Sequence, residues 1–212
     1  MTGDESGAIR ETSRRMLLRN ILLVSSGAAA VGLTSTSLVG TAQAASASVS
    51  PAPPVSLKAP NTPAPEQWGW AWCSKCQGLF WSSDRGVCPA GGSHGHQLSS
   101  DYGLYYNGAG AGYQDNWWWC HQCSGLFFGD EGLTFNGVCP AGGEHDGTFS
   151  SAYIVYLGGG SFPGWQIGWR WCTQCQGMWW ANRSAHGGIC PYGGGMFAHT
   201  DSGSGAYQIQ FQ

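Results

Sequence analysis

From residue 66 onward, apolar positions alternate with small or polar ones in short bursts, and the same burst returns three times. Gln67-Trp68-Gly69-Trp70-Ala71-Trp72-Cys73 opens the first unit. Gln114, Trp117, Trp119 and Cys120 mark the second, and Gln166, Trp169, Trp171 and Cys172 the third. This period of two reads as a strand. A second strand follows each time: Gly78-Leu79-Phe80-Trp81, Gly125-Leu126-Phe127-Phe128 and Gly177-Met178-Trp179-Trp180. A third closes each unit, over Tyr102 to Tyr105, Tyr153 to Leu157 and Tyr207 to Phe211. Gly and Pro punctuate the stretches between. No helical period survives inspection after residue 66.

The repeat governs the fold prediction. Its units span about 66–112, 113–164 and 165–212, with Cys73, Cys120 and Cys172 set 47 and 52 residues apart. Three similar strand-and-turn units predict an all-β domain of three tandem Cys/His repeats closing into a pseudo-threefold, β-trefoil-like structure. The alternative is three zinc-ribbon-like beads with little common core. The twelve tryptophans all lie between Trp68 and Trp180. Trp70, Trp117 and Trp169 share a strand face with Trp72, Trp119 and Trp171. If one of these sets points inward, the repeats share a core. The short connection from Asn107 to Gln114 favours such packing.

The nine cysteines fall three to a repeat, an odd count that one chain cannot fully pair. Each repeat holds Cys-x2-Cys, a third Cys and a following His. The sets are Cys73, Cys76, Cys88 and His94; Cys120, Cys123, Cys139 and His145; and Cys172, Cys175, Cys190 and His199. Cys3His is a closed tetrahedral zinc shell, so up to three structural zinc ions are expected, with disulfides as the alternative. His94 and His145 follow the third Cys by six positions, but His199 follows Cys190 by nine. A three-residue insertion accounts for this and puts Met196 at the uninserted position, which makes the third site the one in question. His96, His121 and His186 do not recur and read as surface residues.

The first 65 residues have a different character. Ser13-Arg14-Arg15-Met16-Leu17-Leu18-Arg19 resembles a twin-arginine export signal, and Thr41-Ala42-Gln43-Ala44 an A-x-A cleavage site. Residues 1–44 are therefore read as a signal peptide and 45–65 as a Pro/Ala/Ser-rich linker. The expected location is extracellular, with no membrane span after cleavage. Processing leaves five Lys/Arg against nine Asp/Glu, a net charge of −4. No basic patch remains to neutralise phosphates, so nucleic acid is not expected as a partner. Val55 and Leu57 alternate around Ser56, so the linker reads either as a spacer or as a strand that docks on a partner's sheet.

The pattern W-x-W-C-x2-C-x-G-[LM]-[FW], then C-P-[AY]-G-G and a His, resembles tandem repeats of secreted, actinobacterial-type proteins over residues 66–212. The layout of leader, linker and compact cap resembles the small adaptor subunit of umbrella toxin particles. That resemblance implies a place in an extracellular protein assembly.

No Gly-x-Ser-x-Gly, His-Glu-x-x-His or P-loop occurs. Asp84 and Asp130 read as turn residues, and no catalytic residue is assigned. The Cys-x2-Cys pairs follow Trp-rich strands rather than opening a helix in a βαβ unit, unlike thiol oxidoreductases. Two functions remain in view: a non-enzymatic adaptor whose linker engages an extracellular protein, and a carbohydrate- or cell-surface-binding module using exposed aromatics.

Overall fold

The computed structural model describes residues 64–129, 135–181 and 187–212. The predicted signal peptide and nearly all of the linker lie outside them, as do Asp130 and His186. Nine strands make up the described chain. Repeat 1 contributes β1 (Glu66–Trp72), β2 (Leu79–Trp81) and β3 (Tyr102–Tyr106). Repeat 2 contributes β4 (Tyr113–Trp119), β5 (Leu126–Phe128) and β6 (Tyr153–Leu157). Repeat 3 contributes β7 (Trp165–Trp171), β8 (Met178–Trp180) and β9 (Tyr207–Phe211). One 3-10 turn, Tyr192–Gly195, is the sole helical element among the described residues.

Within each repeat the first strand pairs antiparallel with the other two. The repeats then meet at two places. β3, β6 and β9 pair with one another in a triangle. The short strands form a second ring, bridging Phe80 to Gly125, Phe127 to Gly177 and Trp179 to Gly78. The fold is thus a barrel-like all-β sheet closed about a pseudo-threefold axis, and the bead alternative does not hold.

Each first strand carries a bulge, because a straight strand would not fit both partners. The register slips between Trp68 and Trp70, Gln114 and Trp117, and Ile167 and Trp169. The bulged residues Gly69, Asn116 and Gly168 all have positive φ, as extra residues in bulged strands commonly require. Their carbonyls are not wasted. Each accepts from the N–H just past the second strand, at Ser82, Gly129 and Ala181, over 2.9–3.0 Å.

The tryptophan pattern resolves into one shared core. Trp70, Trp117 and Trp169 are at most 1% exposed, and Leu79, Leu126 and Met178 pack with them. Each central indole meets the edge of a tyrosine from the next repeat: Trp70 with Tyr153, Trp117 with Tyr207, and Trp169 with Tyr102, at 5.1–5.4 Å. Edge-to-face pairs of this kind add about 0.5–1.5 kcal/mol each beyond their burial. The contacts cross between repeats, so no repeat completes its core alone.

Candidate metal centres

The two-residue gap between the first cysteines is a tight knuckle. Cys73, Cys120 and Cys172 accept at their carbonyls from the N–H of Gln77, Ser124 and Gln176, at 2.7–2.8 Å. Their own N–H groups donate to Gly78, Gly125 and Gly177 at 2.9–3.0 Å. Gln77, Ser124 and Gln176 sit at positive φ, which turns the chain back into the second strand. Both thiols of the knuckle therefore face the same point.

The loop after the second strand brings the third Cys and the His to that point. The structure gathers the twelve side chains into three sets: Cys73, Cys76, Cys88 and His94; Cys120, Cys123, Cys139 and His145; Cys172, Cys175, Cys190 and His199. In each set the ligand atoms lie within 4.8 Å of one another. First and third sulfurs are 3.8, 3.9 and 3.8 Å apart. Second sulfur and His Nδ1 are 3.5, 3.4 and 3.5 Å apart. A disulfide needs about 2.05 Å, and all nine cysteines are free and buried. No pair of these sulfurs stands at disulfide distance. A tetrahedral shell with metal–sulfur bonds of about 2.3 Å and metal–nitrogen bonds of about 2.0–2.1 Å has S···S edges near 3.8 Å and S···N edges near 3.6 Å. The clusters have these dimensions.

Electrostatics point the same way. The first cysteine of each set, Cys73, Cys120 or Cys172, has its thiol pushed far down, chiefly by a hydrogen bond from the second. Cys76, Cys123 and Cys175 are pushed well up, first by that same partner and then by burial. Three thiolates in one buried spot repel, so protons stay on unless a cation compensates. Backbone donors also serve the sulfurs: Gly95 N–H reaches Cys73 Sγ and Asp146 N–H reaches Cys120 Sγ, both at 3.4 Å.

Each histidine stacks on an aromatic of its repeat's short strand. His94 stacks on Phe80, His145 on Phe127 and His199 on Trp179, at 4.6–5.3 Å. His145 Nε2 lies 3.1 Å from the Cys175 carbonyl in the next repeat. With Nδ1 facing the sulfurs, Nε2–H is the donor, and this outer bond sets the ring's tautomer.

The third set is complete despite its longer loop. Cys88 N–H donates to Gly92 and Cys139 N–H to Gly143, four residues on, whereas Cys190 N–H donates to Phe197, seven residues on. In every repeat the histidine comes two residues after that carbonyl. The extra residues form the 3-10 turn, and Met196 points outward at 81% exposure.

Sequence reasoning missed how the sets are locked together. Gly86, Gly137 and Gly188 stand two residues before the third cysteine, all at positive φ. A Cβ on them would meet the carbonyl oxygens of Cys123, Cys175 and Cys76 at 2.1–2.3 Å. Each glycine thus lets one repeat's loop lie against the next repeat's knuckle. Their recurrence as Gly-Val-Cys and Gly-Ile-Cys was the available signal. Ser99, Ser150 and Ser204 were also missed. Their hydroxyls accept from Trp72, Trp119 and Trp171 N–H at 2.7–2.8 Å. His96 and His121 stay outside the clusters, and Asp84 lies in a turn beyond β2.

Fold and site together define a three-repeat all-β domain with one Cys3His cluster per repeat that could hold a metal ion. No protein-family model, curated protein or solved structure matches the chain.

Proposed function

We propose that this is a secreted, non-enzymatic binding protein, an adaptor in an extracellular protein assembly, and that its three Cys3His clusters hold structural zinc. The carrying observation is that each cluster offers four protein ligands, nearly all buried. Such a shell leaves no position for an activated water, so the metal staples the fold rather than performing hydrolysis. Small Gly-rich units commonly need such a staple. The closed threefold core makes the domain a rigid body for docking. The linker of residues 45–65, with Val55 and Leu57, supplies an extended segment for a second partner. The likeness in layout to umbrella-toxin adaptors supports the same reading and makes a toxin particle the favoured assembly.

The test is affinity purification of C-terminally tagged protein from its native culture supernatant. Stoichiometric protein partners, lost when residues 45–65 are deleted, are expected. A protein that emerges alone would reject the adaptor role. Metal analysis of the same material should return about three zinc ions per chain. Metal-free, fully folded protein would reject the zinc assignment.

A further inference from the structure

We infer that repeat 2 carries a glycan-binding cleft built from residues that the other repeats do not share. An open cleft of about 530 Å³ lies on its outer side, lined among others by Trp118, Gln122, Asn136, Glu144, Asp146 and Thr148. These residues are not demanded by the fold. At the position of Trp118, repeat 1 has Ala71 and repeat 3 has Arg170, yet both build the same strand. Where repeat 2 has Glu144 and Asp146 flanking its ligand His145, repeat 1 has Ser93 and Gly95 around His94. The closest threefold comparison thus separates what closes the barrel from what is left over.

The leftover set has the chemistry of sugar recognition: one aromatic plate among carboxylates and amides. Trp118 is half-buried, and its indole N–H is tied to the Gly129 carbonyl at 2.6 Å, which fixes the ring. A fixed ring offers an apolar face at little entropic cost. Glu144 accepts from Asn136 N–H through Oε2 at 3.1 Å, and Asp146 accepts from Thr148 N–H through Oδ1 at 2.9 Å. Each carboxylate is oriented through one oxygen, and among the described residues no hydrogen bond engages the other, which can accept from hydroxyls. Two carboxylates, with no Lys or Arg among the described lining residues and only His121 beside Asp146 at 3.8 Å, disfavour anionic sugars and favour neutral ones. A second cleft of about 220 Å³ is lined by Phe149, Ser150 and Ser151, which follow Thr148 in the chain, together with Trp81, Trp119 and others. Phe149 is 75% exposed and meets His121 edge-on at 5.3 Å.

The inference rests on the binding reading but not on the adaptor role. The full secreted protein, metal-loaded, is incubated with insoluble cellulose, chitin, β-1,3-glucan and starch, all neutral glycans. Retention on at least one is expected, with Trp118→Ala weakening it about tenfold or more and Glu144→Gln several-fold. Arg170→Ala, on the matching strand of repeat 3, should leave it unchanged. Unaltered metal content shows that the variants keep their clusters. Retention on none of the four overturns the cleft, as does retention that Trp118→Ala and Glu144→Gln leave within twofold. Supernatant partners captured alongside a failed pull-down would spare the adaptor role. Glycan retention by a protein without partners would do the reverse.

Discussion

Repeats 2 and 3 build the same metal shell from loops of different length, and the difference shows what the shell requires. In repeat 2 the loop from Cys139 closes after four residues onto Gly143; in repeat 3 the loop from Cys190 runs seven residues to Phe197. The histidine still arrives two residues later and stacks on the aromatic of the short strand. Position is therefore set by one backbone hydrogen bond and one ring contact, and the count of residues between is free. The freedom has a cost in cover. His145 is 5% exposed, while His199 is only partly buried.

The largest test removes a ligand from each shell. Cys123→Ser and Cys175→Ser should both destroy cooperative folding, because a structural zinc contributes about 10–16 kcal/mol and a domain's whole stability is about 5–15 kcal/mol. The shared tryptophan core should spread the loss to all three repeats. Limited proteolysis checks this. If one variant loses resistance only within its own repeat, the repeats are less coupled than the interlocking contacts require.

Next in size is the glycine that lets repeat 2 lie on repeat 3. Gly137→Ala would set a Cβ at 2.2 Å from the Cys175 carbonyl oxygen, at a φ of 78°. The left-handed conformation alone costs about 1 kcal/mol and the clash adds more, so a loss of about 3 kcal/mol or more is expected. Gly142 has a φ of 106° but open space around it. Gly142→Ala should cost about 1–2 kcal/mol. Denaturant melts of the two variants separate packing between repeats from backbone strain.

Much of this was legible in the sequence because the repeat printed it three times. Period-two runs ending at Trp72, Trp119 and Trp171 located the long strands, and the grouping of the twelve Cys and His side chains followed from spacing. The threefold closure followed from the likeness of the units. The bulges were not legible: Asn116 stands where its counterparts are Gly69 and Gly168, and nothing local marks it as the extra residue. The contact of Gly86, Gly137 and Gly188 with a neighbouring knuckle is a through-space fact between segments some 40 residues apart or more. The cleft on repeat 2 depends on which side of the strand Trp118 faces once its neighbours are buried.

Acid should act on both shells alike. Cys139 is pushed up to about 11 and Cys190 to about 12, chiefly by the hydrogen bond to Cys120 or Cys172, and Cys123 and Cys175 are raised as well. The metal-free cluster thus holds protons that a bound ion must displace. Metal affinity should rise with pH in both repeats, by about tenfold or more from pH 6 to pH 8. Competition titrations against a chelator check this. A slope seen in one repeat and not the other would break the equivalence of the shells.

Burial of the histidine should then decide which ion leaves first. With a chelator in excess at fixed pH, one equivalent is expected to leave about tenfold faster than the other two. The smallest effect is the most pointed. Met196 stands six residues after Cys190, where His94 and His145 stand after Cys88 and Cys139, but it is 81% exposed and its neighbour Phe197 carries the closing carbonyl. Met196→Ser should therefore change stability by no more than about 0.5 kcal/mol and leave the fast phase where it was. His199→Ala should remove that phase. If Met196→Ser altered metal release instead, the ligand would be set by residue count, and the hydrogen bond to Phe197 would not be what positions the third shell.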